Sequence, residues 1–538
     1  MNLNATTVTI TSDGRRLDNT LPLIQVDVLK ELNRVPSARL VLADGSIPNR
    51  QFALSQSEHF NPGKTIEIFI RRENTPGQGD ILLFKGIVTS QTIEAGEQGF
   101  QLGIELKDKA VRMCTVRRSA IYRDQTDSQI FSGLIQEHGL EADKIADSSP
   151  KHPEIVQYDS TDWDFLMLRA EANAMVVYIS DGRARIVRPS IAESARHRFE
   201  FGMSPILGLE LRADAERQFG AVQAAAWDID NQNMLSPEDA DAFRLVQGTR
   251  ALNPGELAEH VGGAESNLGN TAWRPAAEMK SWADARLMRS RLSLHRGWFT
   301  VIGRGDIDVL DTIELQGLSD KFNGRALVTG VRQEYGPAGW RTDIQIGLPE
   351  EPFARQHPDV QTMPAHGLLP AISGLHIGVV DSFESDPENH YRARVRVPAW
   401  QTQQEVVWAR QLHPDAGEGR GVFFYPEPGD EVVLGFLNND PREAVILGSL
   451  YSSGRPALVA ADELDENNHI KGILTREGIE MRFDDEHKTL SIKTADDQRV
   501  ILNGNDKTIT LEDGNNNQII LNDRGIQLKS GGDIKIEA

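Results

Sequence analysis

The last part of the chain is marked by short triplets of the form apolar-x-apolar, which alternate with polar turns. The triplets begin at residues 490, 500, 509, 519, 526 and 534. Alternation with a period of two predicts strands with one buried face, and the intervening Gly, Asn and Asp residues are typical of turns. Strands this short cannot bury an apolar face within one thin chain, so they must stack on copies of themselves. The irregular spacing disfavours a single-chain solenoid and favours several chains wound around one axis.

The apolar positions of these triplets are predicted to face that axis and form the core of a stiff rod. They are Leu490, Ile492, Val500, Leu502, Ile509, Leu511, Ile519, Leu521, Ile526, Leu528, Ile534 and Ile536.

The first 360 residues contain two strand-rich regions, at about 1–110 and 200–350, and a more helical part at about 120–200. The two regions show an internal sequence similarity, since segments 65–68, 84–88 and 103–106 resemble 312–315, 322–328 and 344–346. This similarity predicts two similar β-barrels in one chain. Three such chains would present six similar surfaces around an axis, which suits a partner with six-fold symmetry.

Three helices are expected in this region. Residues 127–135 have apolar positions at helical spacing, with Asp127 or Ser128 as the N-cap. Thr161 is expected to cap a second helix, whose first turn carries acidic residues that suit the helix dipole. A third helix is predicted at 276–292.

Proline and glycine mark residues 361–372 as a linker. Residues 373–455 follow, with about five short strands, which predicts a small closed barrel of the OB kind. The rod occupies 456–538. The expected fold is therefore mainly β with a helical insertion.

Charge and targeting signals narrow the function. The chain of 538 residues has a net charge of −22, which argues against nucleic acid or an anionic membrane as the main partner. Its N-terminus lacks the pattern of a signal peptide, and no apolar run is long enough to span a membrane. The chain is expected to be made in the cytoplasm, and any action outside the cell needs a route other than a signal peptide. Cys114 is interpreted as a small buried hydrophobe.

The sequence contains no motif that is typical of an enzyme active site. The chain has no Walker A motif, no Gly-x-Ser-x-Gly elbow, no dinucleotide loop and no His-Glu-x-x-His spacing. His487 beside Asp484 is interpreted as part of a solvated turn. No enzyme activity, cofactor or metal ion is predicted.

Two segments carry a resemblance to a known family. The segment 157–172 is similar to the signature Q-Y-x-E-S-D-W-x-F of VgrG spike proteins, and the block 421–441 is similar to the signature of their OB domain. The matching residues, interpreted as structural, are Gln157, Tyr158, Asp162, Trp163, Phe165, Arg169, Glu171, Pro426, Gly429, Asp430 and Gly435.

The resemblance implies a homotrimeric spike at the tip of the inner tube of a contractile injection system. It implies a hub (1–360) with two β-barrels that caps a six-fold tube, an OB-fold neck (373–455), and a triple-stranded intertwined β-helix as the needle (456–538). The needle would pierce the target envelope when the sheath contracts. The expected partners are the inner tube protein, baseplate proteins and effector cargo.

A PAAR-type tip protein is also expected to cover the end of the needle, at Gly532, Asp533, Ile534, Lys535, Ile536, Glu537 and Ala538. Unpaired strand edges there would otherwise remain exposed.

The sequence is compatible with more than one function. The absence of an inserted catalytic domain and of an extension after the rod favours the spike of an extracellular particle of the antifeeding-prophage kind. A type VI secretion spike without an effector domain is the near alternative. A tail enzyme that hydrolyses glycans and a receptor-binding adhesin are less favoured, because the chain has no catalytic motif and the rod ends without an aromatic-rich head.

Overall fold

The computed structural model describes residues 5–18, 20–46, 51–73, 79–96, 99–241, 253–261, 263–400, 405–462 and 464–537. The chain divides into two compact units, Met1–Thr362 and Met363–Ala538.

The first unit combines strands with most of the helices. Its strands are β1 (Thr6–Ser12), β2 (Arg15–Arg16), β3 (Leu23–Glu31), β4 (Ser37–Ala43), β5 (Thr65–Arg72), β6 (Ile81–Gly96), β7 (Gly99–Lys107), β8 (Arg117–Gln125), β9 (Glu141–Ile145), β10 (His152–Thr161), β11 (Val176–Ser180), β12 (Arg183–Val187), β13 (His197–Glu200), β14 (Ile206–Ala213), β15 (Ala221–Asp228), β16 (Asn233–Met234), β17 (Glu238–Asp239), β18 (Glu265–Asn270), β19 (His295–Ile302), β20 (Thr312–Gln316), β21 (Gly324–Gly336) and β22 (Gly339–Ile346). Its α-helices are α1 (Asp127–Glu137), α2 (Asp162–Ala172), α3 (Pro254–Val261), α4 (Ala276–Ser293) and α5 (Phe353–Gln356).

The two strand-rich regions belong to one 13-stranded sheet. Its main path runs β14-β19-β22-β21-β3-β4-β7-β6-β5-β1-β2, and β20 and β13 join it through β21. The regions are thus not separate sheets, because β21 of the second pairs with β3 of the first. Each region nevertheless packs its own core. The first core includes Leu40, Ile68 and Ile104, and the second includes Phe299 and Ile344.

The helical part forms a third core. Helices α1 and α2 pack with the sheet β11-β12-β9 around Phe131, Leu166 and Val177. Thr161 caps α2 as expected, because its Oγ1 accepts a hydrogen bond from the N–H of Asp164 at 3.0 Å. The cap of α1 is Thr126 and not Asp127 or Ser128, since Thr126 exchanges two hydrogen bonds with Gln129 in a capping box.

The second unit begins with a closed five-stranded barrel. Its strands are β23 (His376–Val380), β24 (Arg392–Arg396), β25 (Val406–Gln411), β28 (Glu431–Phe436) and β29 (Ala444–Ser449), and the barrel order is β23-β24-β25-β29-β28. A small hairpin, β26 (Ala416–Gly417) and β27 (Arg420–Gly421), lies between β25 and β28 in the chain. Small and branched side chains such as Val395, Ala409 and Leu434 fill the interior.

The C-terminal part is a seven-stranded antiparallel sheet in which each strand pairs with the next along the chain. Its strands are β30 (Ile470–Leu474), β31 (Glu480–Asp484), β32 (Thr489–Lys493), β33 (Arg499–Asn503), β34 (Thr508–Glu512), β35 (Gln518–Asn522) and β36 (Gly525–Lys529). Short polar turns return the chain to its own previous strand within one copy. The intertwining of several chains around one axis stays a prediction.

Candidate functional site

The pairing of the C-terminal strands places the predicted core residues from Leu490 to Leu528 on one face of the sheet. Leu502 lies opposite both Leu490 and Ile509 on its two neighbouring strands, and Val500 lies opposite Ile492 and Leu511. The same register continues through the last two strands. The apolar face, as the term is used below, consists of Met481, Phe483, Leu490, Ile492, Val500, Leu502, Ile509, Leu511, Ile519, Leu521, Ile526 and Leu528.

Met481 and Phe483 were not among the predicted core residues. They lie opposite Ile492 and Leu490 and so extend the apolar face by one strand. The signal was present in the sequence, because Met481-Arg482-Phe483 is itself an apolar-x-apolar triplet.

The apolar face is uncovered in the single chain. Ile509 and Leu511 on the central strand β34 are each 40% exposed, and Ile526 near the end is 72% exposed. The opposite face of β34 carries Thr508, Thr510 and Glu512. Because soluble chains rarely expose large contiguous apolar patches, this face requires a covering partner.

Asparagine and aspartate side chains hold the turns that set this register. Asp513 accepts hydrogen bonds from the backbone N–H groups of Asn515 and Asn517, each at 2.9 Å. Hydrogen bonding from the Asn517 side chain and from these backbone groups lowers the pKa of Asp513 to about 2. A one-residue slip would turn every apolar side chain to the other face, so these turns maintain the apolar face.

The predicted last triplet is not a strand. Strand β36 ends at Lys529, and among the described residues beyond it Ile534 and Ile536 belong to no strand and are 55% and 87% exposed. The chain leaves the sheet where the backbone N–H of Gly531 binds the Asn517 side chain at 3.0 Å. Gly531 and the Gly532 that follows it disfavour a regular strand. The exposed final edge is therefore β36, and Ala538 lies outside the described residues.

The signature residues around α2 form a buried polar network. Asp127, which is buried, accepts hydrogen bonds from Arg169 Nε at 2.7 Å, from Asn173 at 2.9 Å and pairs with His152 at 3.0 Å. This network connects α1, α2 and β10, which lie far apart in the sequence.

A second buried polar cluster surrounds Asp162. Its carboxylate binds Arg118 Nε and His138 Nε2, each at 2.7 Å, and accepts from the Gln157 side chain at 2.9 Å. Burial alone raises the pKa of Asp162, but the hydrogen bonds from His138 and Gln157 lower it below the ordinary value.

The aromatic signature residues divide into two groups. Trp163 and Phe165 are buried, and Phe165 stacks on Tyr122 with ring centroids 5.6 Å apart. Tyr158, by contrast, is 68% exposed. The remaining signature residue of α2, Glu171, accepts a hydrogen bond from the Phe353 backbone N–H at 2.8 Å.

The OB signature residues lie at a tight turn and in a strand. Asp430 accepts a hydrogen bond from the Glu427 N–H at 2.9 Å, and Gly429 between them has a φ of +90°, which favours glycine. Pro426 is buried beside this turn. Gly435 lies in β28 opposite Val445.

The OB unit also carries exposed stacked rings that the sequence did not predict as a group. Phe423 stacks on His413 and on Tyr425, with centroid separations of 5.9 and 5.8 Å. Phe423 and the neighbouring Phe424 are 69% and 54% exposed.

Within the described ranges, no group of three or more His, Cys, Asp or Glu side chains is placed to hold a metal ion. His487 forms an exposed pair with Asp484 at 2.9 Å, which raises the pKa of the histidine. The helices of the described chain include none that is both long and apolar enough to cross a membrane.

Two family models match the chain. A model described as the Alg8 N-terminal domain matches residues 2–336, which is more than half of the chain. The chain belongs to the Alg8 N-terminal domain family. A second model, described as the type VI secretion system/phage-baseplate injector OB domain, matches residues 376–451 and so coincides with the closed barrel.

Solved structures with a similar fold were also found for this member of the Alg8 N-terminal domain family. The 43 kDa tail protein of prophage MuSo2 from Shewanella oneidensis is 13% identical, covers 64% of this chain and 99% of its own, and has a TM-score of 0.49. The E. coli c3393 protein, a type VI secretion component, is 12% identical over 82% and 99% of the two chains, with a TM-score of 0.37. A Francisella PdpA–VgrG complex is 11% identical over 98% and 88%, with a TM-score of 0.42. No curated protein sequence matched the chain.

These findings confirm the resemblance to VgrG-type spike proteins and the mainly β fold with an OB barrel. The similar proteins are described as tail, injector or secretion-system components. The domain boundaries and the roles of individual site residues stay predictions.

Proposed function

We propose that the chain is the structural spike at the tip of the inner tube of a contractile injection system. Three copies would form it, with the hub (1–360) capping the six-fold tube, the OB unit (373–455) as the neck and 456–538 as the needle. Sheath contraction would drive the needle through a target envelope. The spike would contribute stiffness and shape and would catalyse no reaction.

The observation that carries this proposal is the uncovered apolar face. A sheet with one apolar and one polar face can be covered by a second copy in a sandwich or by two copies in a three-sided prism. Three copies are favoured because two similar regions in each hub then give the six surfaces that a six-fold tube requires. In the prism each chain forms one wall, and apolar side chains meet along the axis.

The proposed partners follow from this position. The hub would contact the inner tube protein and the baseplate, and effector cargo would travel with the spike. The net charge of −22 gives no support to a nucleic acid partner. We propose that the protein is assembled in the cytoplasm into a particle that is released from the cell, as in systems of the antifeeding-prophage kind.

A type VI secretion spike is the second candidate, since the description of the matching OB model names the type VI secretion system beside the phage baseplate. Electron microscopy of the producing strain separates the two. Free sheathed particles that react with an antibody against this chain support the extracellular system, and sheaths anchored only at the cell envelope support the type VI system. A peptidoglycan turnover assay tests the enzyme alternative, and binding to intact target cells by the isolated spike tests the adhesin alternative.

The native mass of the purified full-length chain is the direct test of assembly. One chain has a mass of 59.7 kDa, and we expect three times this value at micromolar and nanomolar concentrations. A stable monomer would rule out the prism and with it the piercing role.

Removal of the last residues is expected to abolish binding of a PAAR-type tip protein. Deleting 531–538 removes Ile534 and Ile536, which are exposed and belong to no strand. The trimer should persist because the apolar face ends at β36. Co-purification with the tip protein measures binding, and native mass measures assembly. Asp523→Ala, in the turn before β36, also removes one net negative charge and is the matched control for the change of charge. Retained tip binding after the deletion would contradict the proposed cap site.

A further inference from the structure

The two strand-rich regions of the hub repeat the same pairing scheme in detail. In the first region the order is β3-β4-β7-β6-β5, and in the second it is β14-β19-β22-β21-β20. The hairpin between β6 and β7 is closed by the pair Gly96–Gly99, and the hairpin between β21 and β22 is closed by the pair Gly336–Gly339. We call these two sets of strands repeat one and repeat two.

The irregularities of the ladders coincide as well. The register between β6 and β7 shifts between Val88 and Ser90, and the register between β21 and β22 shifts between Val328 and Gly330, equally far from the hairpin. The β3–β4 ladder shifts at its start, between Leu23 and Gln25, and the β14–β19 ladder does so between Ile206 and Gly208. Bulges are specific features of a fold, so their coincidence fixes a residue-by-residue correspondence.

Within one chain, repeat two joins repeat one through a single ladder. Residues 330–335 of β21 pair antiparallel with residues 26–31 of β3, so that Arg332 lies opposite Leu29 and Gln333 opposite Val28. Val331 and Val28 are buried at this junction.

In each repeat, the strand segment that matches one side of the β21–β3 junction has no second strand partner among the described residues. Under the correspondence, 330–335 of β21 matches 90–95 of β6, and 26–31 of β3 matches 209–214 at β14. In the described sheet, 90–95 of β6 pairs only with β7, and β14 pairs only with β19. Ile93 is 52% exposed, whereas Gln333, the residue that matches it at the β21–β3 junction, is buried.

We infer that β6 of one copy pairs antiparallel with β14 of a second copy and repeats the β21–β3 junction between subunits. Residues 90–95 would lie opposite 214–209, with Thr92 opposite Arg212 and Ile93 opposite Leu211 of the second copy. This inference deepens the proposed trimer, on which it rests. It makes the hub a closed ring of six repeats in which junctions within and between chains alternate.

The side chains at the two open edges repeat the pattern of the β21–β3 junction in this register. One face of the new ladder would carry Ile93 and Ala95 opposite Leu211 and Leu209 of the second copy, and Gln91 opposite Ala213. On the other face Glu94 would lie directly opposite Glu210, with Arg212 diagonal to Glu94. The β21–β3 junction has the same arrangement, since Glu334 lies opposite Asp27 and Arg332 Nε donates to Asp27 at 2.9 Å. Apolar cross-strand pairs stabilise antiparallel ladders, and an arginine offsets the two facing carboxylates.

Exposed strand edges support the same conclusion. A sheet edge with unpaired N–H and C=O groups binds further strands unless it is protected. Neither open edge carries a proline among the described residues 89–96 and 206–214. Each copy has one edge of each type, so the contact is head-to-tail and closes only in a ring.

Disulfide trapping in the full-length chain tests the register. Hydrogen-bonded and non-hydrogen-bonded pairs alternate along an antiparallel ladder, and the Gly336–Gly339 pair that closes the β21–β22 hairpin is hydrogen-bonded. Arg332 lies four residues from Gly336, so its pair with β22 is also hydrogen-bonded. Its pair with β3, on the other side, is therefore non-hydrogen-bonded. Thr92 and Arg212 would form the equivalent non-hydrogen-bonded pair, with Cα atoms about 4.5 Å apart, which suits a disulfide. The test variant is Thr92→Cys with Arg212→Cys in a Cys114→Ala background. The matched control is Thr92→Cys with Glu210→Cys, which is displaced by two residues on the same face.

Mild oxidation of the test variant is expected to give covalent dimers and trimers on a non-reducing gel, at least about tenfold more than the control. The native mass of the uncrosslinked Cys114→Ala protein is measured in parallel. A trimer in which the test pair crosslinks no better than the control would overturn the β6–β14 ladder and leave the proposed spike intact. A monomeric mass would overturn both.

Discussion

Replacing Ile509 and Leu511 by aspartate is expected to convert the assembled protein into single chains. Both side chains lie on the central strand β34 and are 40% exposed in the isolated chain, where they form part of the apolar face. In the proposed prism they would meet their counterparts from two other copies. The variant therefore places six carboxylates near the axis of one trimer.

The expected loss is large compared with the strength of such an interface. Burial of one Ile or Leu side chain contributes about 1.5–3 kcal/mol, and this contribution is lost at every replaced position. Unpaired carboxylates in an apolar environment add several kcal/mol more or prevent association altogether. We expect the native mass to fall from three chains to one, 59.7 kDa, at micromolar concentration.

The same strand provides the control. Thr508 and Thr510 lie on β34 with their side chains on the opposite face, so Thr508→Asp with Thr510→Asp adds the same charge to the same strand. This control should keep the mass of the trimer. Dissociation of both variants to the same extent would show that charge or strand stability, and not the apolar face, controls assembly.

The strands and helices with strong local patterns could be predicted from the sequence. The triplets beginning at 490, 500, 509, 519 and 526 form strands β32 to β36, and Thr161 caps α2. The predicted helix at 276–292 is α4, Ala276–Ser293. In each case the determining interactions lie within a few residues, in alternation, capping or turn formation, so that they can be recognised in the order of residues.

Features that depend on distant partners could not be predicted in this way. The pairing of β21 with β3 joins segments some three hundred positions apart, and neither strand carries a local sign of its partner. The last triplet followed the alternating pattern but leaves the sheet at Gly531, whose N–H binds the side chain of Asn517.

The candidate site likewise contains residues that could be predicted from local pattern and residues that could not. The apolar face was predicted except for Met481 and Phe483, because its residues follow one period along the chain. The network around α2 was recognised only as a signature. Its partners Asp127, His152 and Asn173 come from α1, from β10 and from the end of α2, so that only the folded arrangement shows which carboxylate faces Arg169.

The second large effect is expected from Asp127→Ala, which should destabilise the hub by about 3–5 kcal/mol. Removing one partner of a buried ion pair leaves the other charge without compensation. Arg169 would keep a longer ion pair with Glu278, at 3.5 Å, and its contact with His152 Nε2, at 3.3 Å. His152 and Asn173 would each lose a hydrogen bond as well. Urea unfolding of the full-length chain, followed by tryptophan fluorescence, measures the change in the free energy of unfolding.

An exposed ion pair of the same unit provides the comparison. Arg123 and Glu154 lie 3.2 Å apart with side chains 70% and 51% exposed, so Glu154→Ala should cost no more than about 1 kcal/mol. Equal effects of the two variants would contradict a structural role for the Asp127 network.

The pH dependence of Asp127→Asn separates the charge of this residue from its shape. Burial alone raises the pKa of Asp127, but hydrogen bonds from His152 and Arg169 outweigh burial and hold it well below the usual range. Because the folded pKa is lower than the unfolded value of about 3.9, the carboxylate stabilises the hub above that pH. The stabilisation is lost as the pH falls from there towards the folded pKa. The free-energy difference between the parent and Asp127→Asn should therefore be largest at pH 6 and smaller at pH 3, and a difference that does not change with pH would exclude the charge as its cause.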